Sequence, residues 1–177
     1  HPGFEQDELS QAWLLFTRNG YRVTIASPTG GPVIADAFNP KSDYNAAFLA
    51  DAEGVAQLAA TRRTAGLRGS DFDALMVIGG KGAMFDLPLD TALARLAGEI
   101  YDQGGVVSAV CHGPAGLLRA RTRDGRALVA GRRLTGFTNE EEAVFGKQWR
   151  ERFAFLLEDE ARRVGAQWEE SPLMMPK

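Results

Sequence analysis

Two hydrophobic periods take turns along this chain. From Glu5 to Asn19 the apolar residues Leu9, Trp13 and Phe16 recur at helical spacing and predict an amphipathic helix, stopped at Asn19-Gly20. Tyr21 to Ala26 alternates with period two and predicts a strand, broken by the loop Ser27 to Pro32. After an irregular stretch, Ala46 to Thr61 reads as mostly helical. Phe72 to Ile78 is a continuous apolar run that predicts a buried strand ending at Gly79-Gly80-Lys81-Gly82. Leu89 to Gln103 follows as a helix whose inner face is Leu93, Leu96, Ala97 and Ile100. Val106 to Val110 predicts the next strand, Cys111-His112-Gly113-Pro114 a tight turn, and Ala115 to Leu118 a small-residue helix.

Beyond a charged loop at 121–126, Ala127 to Ala130 and Leu134 to Phe137 predict two short strands around a Gly131-Arg132-Arg133 turn. Asn139 is placed to cap an acidic helix start, Glu140-Glu141-Glu142. Phe155 to Val164 predicts a further helix and Gly165 to Trp168 the start of a strand. Strands that alternate with helices predict an α/β fold, doubly wound, with a mainly parallel sheet and helices on both faces. In such folds binding groups gather at the carboxyl ends of the strands, where Gly79-Gly80 and Cys111 both fall.

Composition narrows the function classes. The 177 residues fit one domain large enough for a full core, and 45% hydrophobic with 24% charged residues is ordinary for a globular protein. A net charge of −3 gives no reason to expect nucleic acid as a partner. No apolar stretch reaches a membrane-spanning length, and no signal peptide is visible. A single cysteine excludes an internal disulfide and suits a reducing, cytoplasmic setting. With two histidines and one cysteine, the usual material for a zinc site is missing.

The chemistry concentrates at Cys111. A side chain on a strand-to-helix turn stands at the sheet edge, and the N-terminus of the following helix turns its free N–H groups and positive dipole end toward it. These surroundings favour thiolate over thiol and make Cys111 a candidate nucleophile. Taken alone, a cysteine ending an apolar strand also fits a plain core position, and the Glu140 to Glu142 run also fits a solvated helix end stabilised by the dipole. His112, the only histidine besides residue 1, stands next to the sulfur, and Gly113 relieves crowding at the turn.

Four segments, GFEQDEL at 3–9, IGGKGAMFDLP at 78–88, AVCHGPAGLL at 109–118 and LTGFTNEEE at 134–142, together resemble the ThiJ/PfpI superfamily, which is type 1 glutamine amidotransferase-like and flavodoxin-like in fold. More narrowly they resemble its chaperone and glyoxalase III branch, in order and spacing across nearly the whole chain. The resemblance implies that Cys111 is the nucleophile, His112 the adjacent catalytic histidine, and Glu8 an acid hydrogen-bonded to the sulfur. Glu142 is implied as the acidic partner of the histidine, with Glu141 as the alternative. The N–H groups of Gly80 and His112 are implied as the oxyanion site, with Lys81 at the substrate rim where the branch usually has a histidine.

The function so implied is a glutathione-independent glyoxalase that converts methylglyoxal or similar 2-oxoaldehydes to 2-hydroxy acids without cofactor or metal, with a related protein deglycase activity. The alternatives are a stress-response holding chaperone or redox sensor, and a cysteine peptidase or amidase. Implied partners are the small aldehyde, glycated or unfolded proteins, and a second copy in a homodimer, with neither nucleic acid nor membrane. Relatives of this branch open with a central strand before Gly3 and close with a strand and helix after Lys177. Residues 1–177 are therefore expected to form a single domain without those elements, and a longer polypeptide or another segment would fill the middle of the sheet.

Overall fold

The computed structural model describes residues 2–170. Its skeleton is three β-helix-β units in which both strands of each unit pair in parallel. Strand β1 (Ala26–Ser27) pairs with β2 (Arg62–Arg63), β3 (Ala74–Val77) with β4 (Val106–Ala109), and β5 (Arg133–Leu134) with β6 (Gln167–Trp168). Parallel partners need a long crossover, and helices supply it each time. Between β1 and β2 lie α2 (Asp43–Leu49) and α3 (Ala52–Ala59), and between β3 and β4 lie α4 (Ala83–Asp86) and α5 (Thr91–Asp102). Between β5 and β6 lie α6 (Asn139–Val144), α7 (Lys147–Arg150) and α8 (Leu157–Arg163), while α1 (Gln6–Arg18) precedes all three units. This is an α/β, flavodoxin-like arrangement.

Apolar burial forms two clusters. The larger one gathers Leu93 and Ala97 of α5, Ala115 to Leu118 after the elbow, Leu157 and Ala161 of α8, and Trp168 of β6. The smaller joins Leu9 and Trp13 of α1 to Ile25 and Phe48, with the Trp13 and Phe48 rings edge-to-face at 6.0 Å. Two fixtures tie them together. The N–H of Glu5 donates to the Gly79 carbonyl at 3.1 Å, and the N–H of Gly82 to the Gly3 carbonyl at 2.9 Å.

Several elements differ from the sequence reading. The expected strand 21–26 pairs only through Ala26 and Ser27, because the Gln57 side chain takes the Ile25 N–H at 2.8 Å and donates to the Val23 carbonyl at 3.0 Å. A side-chain amide there does the work of a neighbouring strand. The expected helix 46–61 is two helices, because the Asp51 side chain accepts the Gly54 N–H and caps α3. Ala127 to Ala130 is a turn rather than a strand; Leu128 and Val129 are apolar because they fill the larger cluster. The segment after the elbow is a 3-10 helix, Gly113–Leu117, with Pro114 near its start. The cap of α6 is Thr138, not Asn139, and it forms a reciprocal capping box with Glu141. Among the described residues no helix is long and apolar enough to cross a membrane.

Candidate functional site

Strand β4 delivers Cys111 into a left-handed backbone conformation, φ 56°, the only non-glycine residue with positive φ among those described. An L residue held there is strained, and the surroundings hold it. Its carbonyl accepts the Phe137 N–H at 2.8 Å, and the next turn closes through the Gly113 N–H to the Val110 carbonyl at 2.7 Å. Two glycines make the approach possible. A Cβ at Gly79 would stand 2.7 Å from Cys111 Cβ, and one at Gly113 would overlap the Val77 carbonyl.

Four elements converge on the half-buried sulfur. His112 Nδ1 lies 3.3 Å from Cys111 Sγ, and His112 Nε2 lies 2.6 Å from Glu142 Oε1. The imidazole and the acid are both buried, at 3% and 1% exposure. The ring is clamped by Phe137, stacked at 4.4 Å, and by Phe153, edge-on at 5.9 Å. From α1, the Glu8 carboxyl hydrogen-bonds the sulfur and accepts the Gly79 N–H at 2.6 Å. The N–H groups of Gly80 and His112 are also directed at the sulfur.

The electrostatics correct one expectation. Burial, followed by the charge of Glu8, pushes the Cys111 thiol up from its ordinary value, against the opposing pull of the Gly80 and His112 N–H groups. A thiolate favoured by the elbow alone is therefore not the resting state while Glu8 is ionised. The following helix is a short 3-10 turn, and the fixed donors at the sulfur are two individual N–H groups. Burial likewise lifts the Glu8 carboxyl to about 7, against the lowering influence of the Gly79 N–H and the Cys111 hydrogen bond. Glu8 is thus the group that exchanges a proton near neutral pH, and its protonation removes the second of the influences that oppose the thiolate, burial being the first.

The structure brings Glu8, Gly80, Cys111, His112 and Glu142 together. It distinguishes Glu142 from Glu141, which is occupied in the capping box. Lys81 pairs with an acid outside this relay: its Nζ lies 3.7 Å from Asp36 Oδ2. Asp36, absent from the sequence reading, also accepts the Gly3 N–H at 2.9 Å and so fixes the segment that leads into α1. Phe137 and Phe153 were missed as well. Phe137 lies inside the segment 134–142, one residue before the cap, but no local pattern marks Phe153. Two surface hollows, of about 370 and 360 Å³, have neither Cys111 nor His112 in their walls. Among the described residues no cluster of three or more His, Cys, Asp or Glu is arranged to hold a metal ion.

Known proteins share this architecture. The chain is 32% identical to the glutathione-independent glyoxalase hsp3101 of Schizosaccharomyces pombe, over 95% of this chain and 73% of that protein. It is 33% identical to Glyoxalase 3 of Candida albicans over 75% of this chain, a match that spans only 58% of that protein's length. Among solved structures, glyoxalase III from Candida albicans superposes with a TM-score of 0.87 at 28% identity, over 97% of this chain and 75% of that one. The Rapid Encystment Protein of Francisella tularensis superposes with a TM-score of 0.91 at 26% identity, over 98% and 77% of the two chains. The family model described as DJ-1/PfpI matches residues 1–172, so the strained cysteine, its adjoining histidine and the parallel units around them place this chain in the DJ-1/PfpI family.

Proposed function

We propose that this protein is a glutathione-independent glyoxalase acting on small 2-oxoaldehydes such as methylglyoxal, with Cys111 as nucleophile. The observation that carries the reading is the unbroken relay Glu8, Cys111, His112, Glu142, in which an acid lies on each side of the sulfur and imidazole pair. The similar proteins named as glyoxalases support the same substrate class.

The chemistry follows from the positions. Cys111 Sγ adds to the aldehyde carbon, its proton passes to the relay, and the new oxyanion takes the Gly80 and His112 N–H groups as the carbon turns tetrahedral. The oxyanion is then protonated to the hemithioacetal. A base of the relay removes the hydrogen from that carbon to give an enediol, and return of a proton to the neighbouring carbon yields a thioester of the 2-hydroxy acid. Water cleaves the thioester, releasing the acid and restoring the thiol. Water is the only co-reactant, since the carbon oxidised and the carbon reduced belong to one molecule.

Glu8 suits the proton-transfer steps because its carboxyl titrates at about 7, where one group can act as acid and as base. His112 is held for the same task by Glu142 and Phe137. A plain cysteine hydrolase needs the histidine and its acid but has no step for a second acid hydrogen-bonded to the sulfur, which favours the aldehyde isomerisation. The test is lactate formation from methylglyoxal by the wild type, Cys111→Ala and Glu8→Gln. Cys111→Ala is expected to abolish turnover and Glu8→Gln to lower it by about 10² or more. Full activity in Cys111→Ala, or none in the wild type, overturns the reading.

A further inference from the structure

We infer that Gly146 is a positioning residue: its missing side chain leaves the space in which the Glu142 carboxylate stands against His112. Gly146 follows the last turn of α6, and its N–H donates to the Glu142 carbonyl at 3.1 Å. Its backbone, at φ −100° and ψ 5°, is open to any residue, so the conformation does not call for glycine. The space does. A Cβ built there overlaps Glu142 Oε2 and would stand 2.9 Å from its Cδ.

Glu142 Oε2 is buried and has no hydrogen-bond partner, while Oε1 makes the 2.6 Å contact with His112 Nε2. The unpartnered oxygen is thus the one turned to the bare face of Gly146. Any side chain at 146 meets the far end of a side chain rather than rigid backbone as its nearest neighbour, so the carboxylate is what yields. Yielding draws Oε1 away from the imidazole. His112 then loses the acid that fixes its ring nitrogens, while the sulfur contact at Nδ1 is left to Phe137 and Phe153 alone.

The proposal rests on the relay assigned above, and its test does not depend on which substrate the relay serves. Gly146→Ala, Glu142→Ala and the double variant are compared in the full chain by two readouts. One is the downfield proton resonance of His112 Nε2–H held by Glu142; the other is the rate of Cys111 alkylation by iodoacetamide as a function of pH. Gly146→Ala is expected to lose the resonance and to slow alkylation near neutral pH by about tenfold. In the Glu142→Ala background the same substitution is expected to change neither, since the group it displaces is gone.

An Ala variant that keeps the resonance and alkylates within about twofold of wild type overturns the proposal. So does a second, additive loss in the double variant, which would show that residue 146 acts elsewhere. If Gly146→Ala alone does not fold, the double variant must recover folding, and its failure to do so counts equally against the inference. Absence of glyoxalase turnover in the wild type would remove the substrate assignment while leaving both readouts intact.

Discussion

The carboxyl of Glu8 accepts from the Gly79 N–H and from the sulfur's proton, yet burial still lifts it to about 7. The folded chain therefore binds a proton at Glu8 that the unfolded chain, with an ordinary value of 4.5, releases earlier. Stability from this group is complete below about 4.5 and is lost as pH rises through about 7. Glu8→Gln keeps the shape and removes the titration. Relative to wild type, its urea midpoint is expected to rise between acid and mildly alkaline pH, by at most about 3 kcal/mol in stability. A constant offset across that range would show that Glu8 does not titrate in the folded state. The same variant should lose the limb of the kcat/KM profile near pH 7, which separates a proton-carrying role from a purely structural one.

At the scale of elements, the relay's far acid depends on one helix end. Glu142 sits at the fourth position of α6, whose first turn is held by the Thr138 hydroxyl accepting the Glu141 N–H at 3.1 Å and by Glu141 returning to the Thr138 N–H at 2.8 Å. The Glu158 carboxylate on α8 adds a third acceptor, for the Asn139 N–H at 3.0 Å. Thr138→Ala is expected to cost about 1 kcal/mol in denaturant unfolding, and to reduce turnover through a loosened Glu142 rather than through lost substrate binding. A fall in kcat with KM unchanged is the expected pattern. An unchanged kcat alongside the stability loss would separate the cap from the relay.

This end of the molecule also shows what local pattern can reveal. The elbow and β3, β4 and α5 were legible because long apolar runs bounded by glycine have one reading, and the acidic run at 140–142 marked the right helix. The cap went to Asn139 because Thr and Asn are both good caps and only geometry separates them. Strand β1 shrank for a reason no local pattern holds: Gln57, thirty-odd residues away, takes its backbone groups. Likewise Phe153 and the space beside Gly146 enter the site, and Asp36 fixes the segment before α1, through long-range contacts, so residue type and spacing carry no trace of them.

Across the whole molecule, the relay is assembled from two cores. Cys111, His112 and Glu142 are braced by the larger cluster, while Glu8 rides on α1, whose buried face packs on Phe48 in the smaller one. Phe48 is fully buried against Trp13, and Trp13 Nε1 donates to Asp51, the cap of α3, at 3.2 Å. Removing the Phe48 ring leaves a cavity beneath the turn after Glu8, and Phe48→Ala is expected to cost about 3 to 5 kcal/mol. Relaxation into that cavity moves α1, and with it Glu8, relative to Cys111. The backbone bonds from Glu5 to Gly79 and from Gly82 to Gly3, together with Glu8 on the Gly79 N–H, oppose the shift on the side of the sulfur, while Tyr44 and Asn45 donate to Asp7 and hold α1 to α2. The variant, assayed at low temperature where it remains folded, should therefore displace the Glu8 limb of the pH profile while the His112 Nε2–H resonance stays in place. Loss of both signals together would mean that the two clusters respond as one body, and an unmoved Glu8 limb would mean that the polar bonds of α1, not the packing on Phe48, set the acid's position.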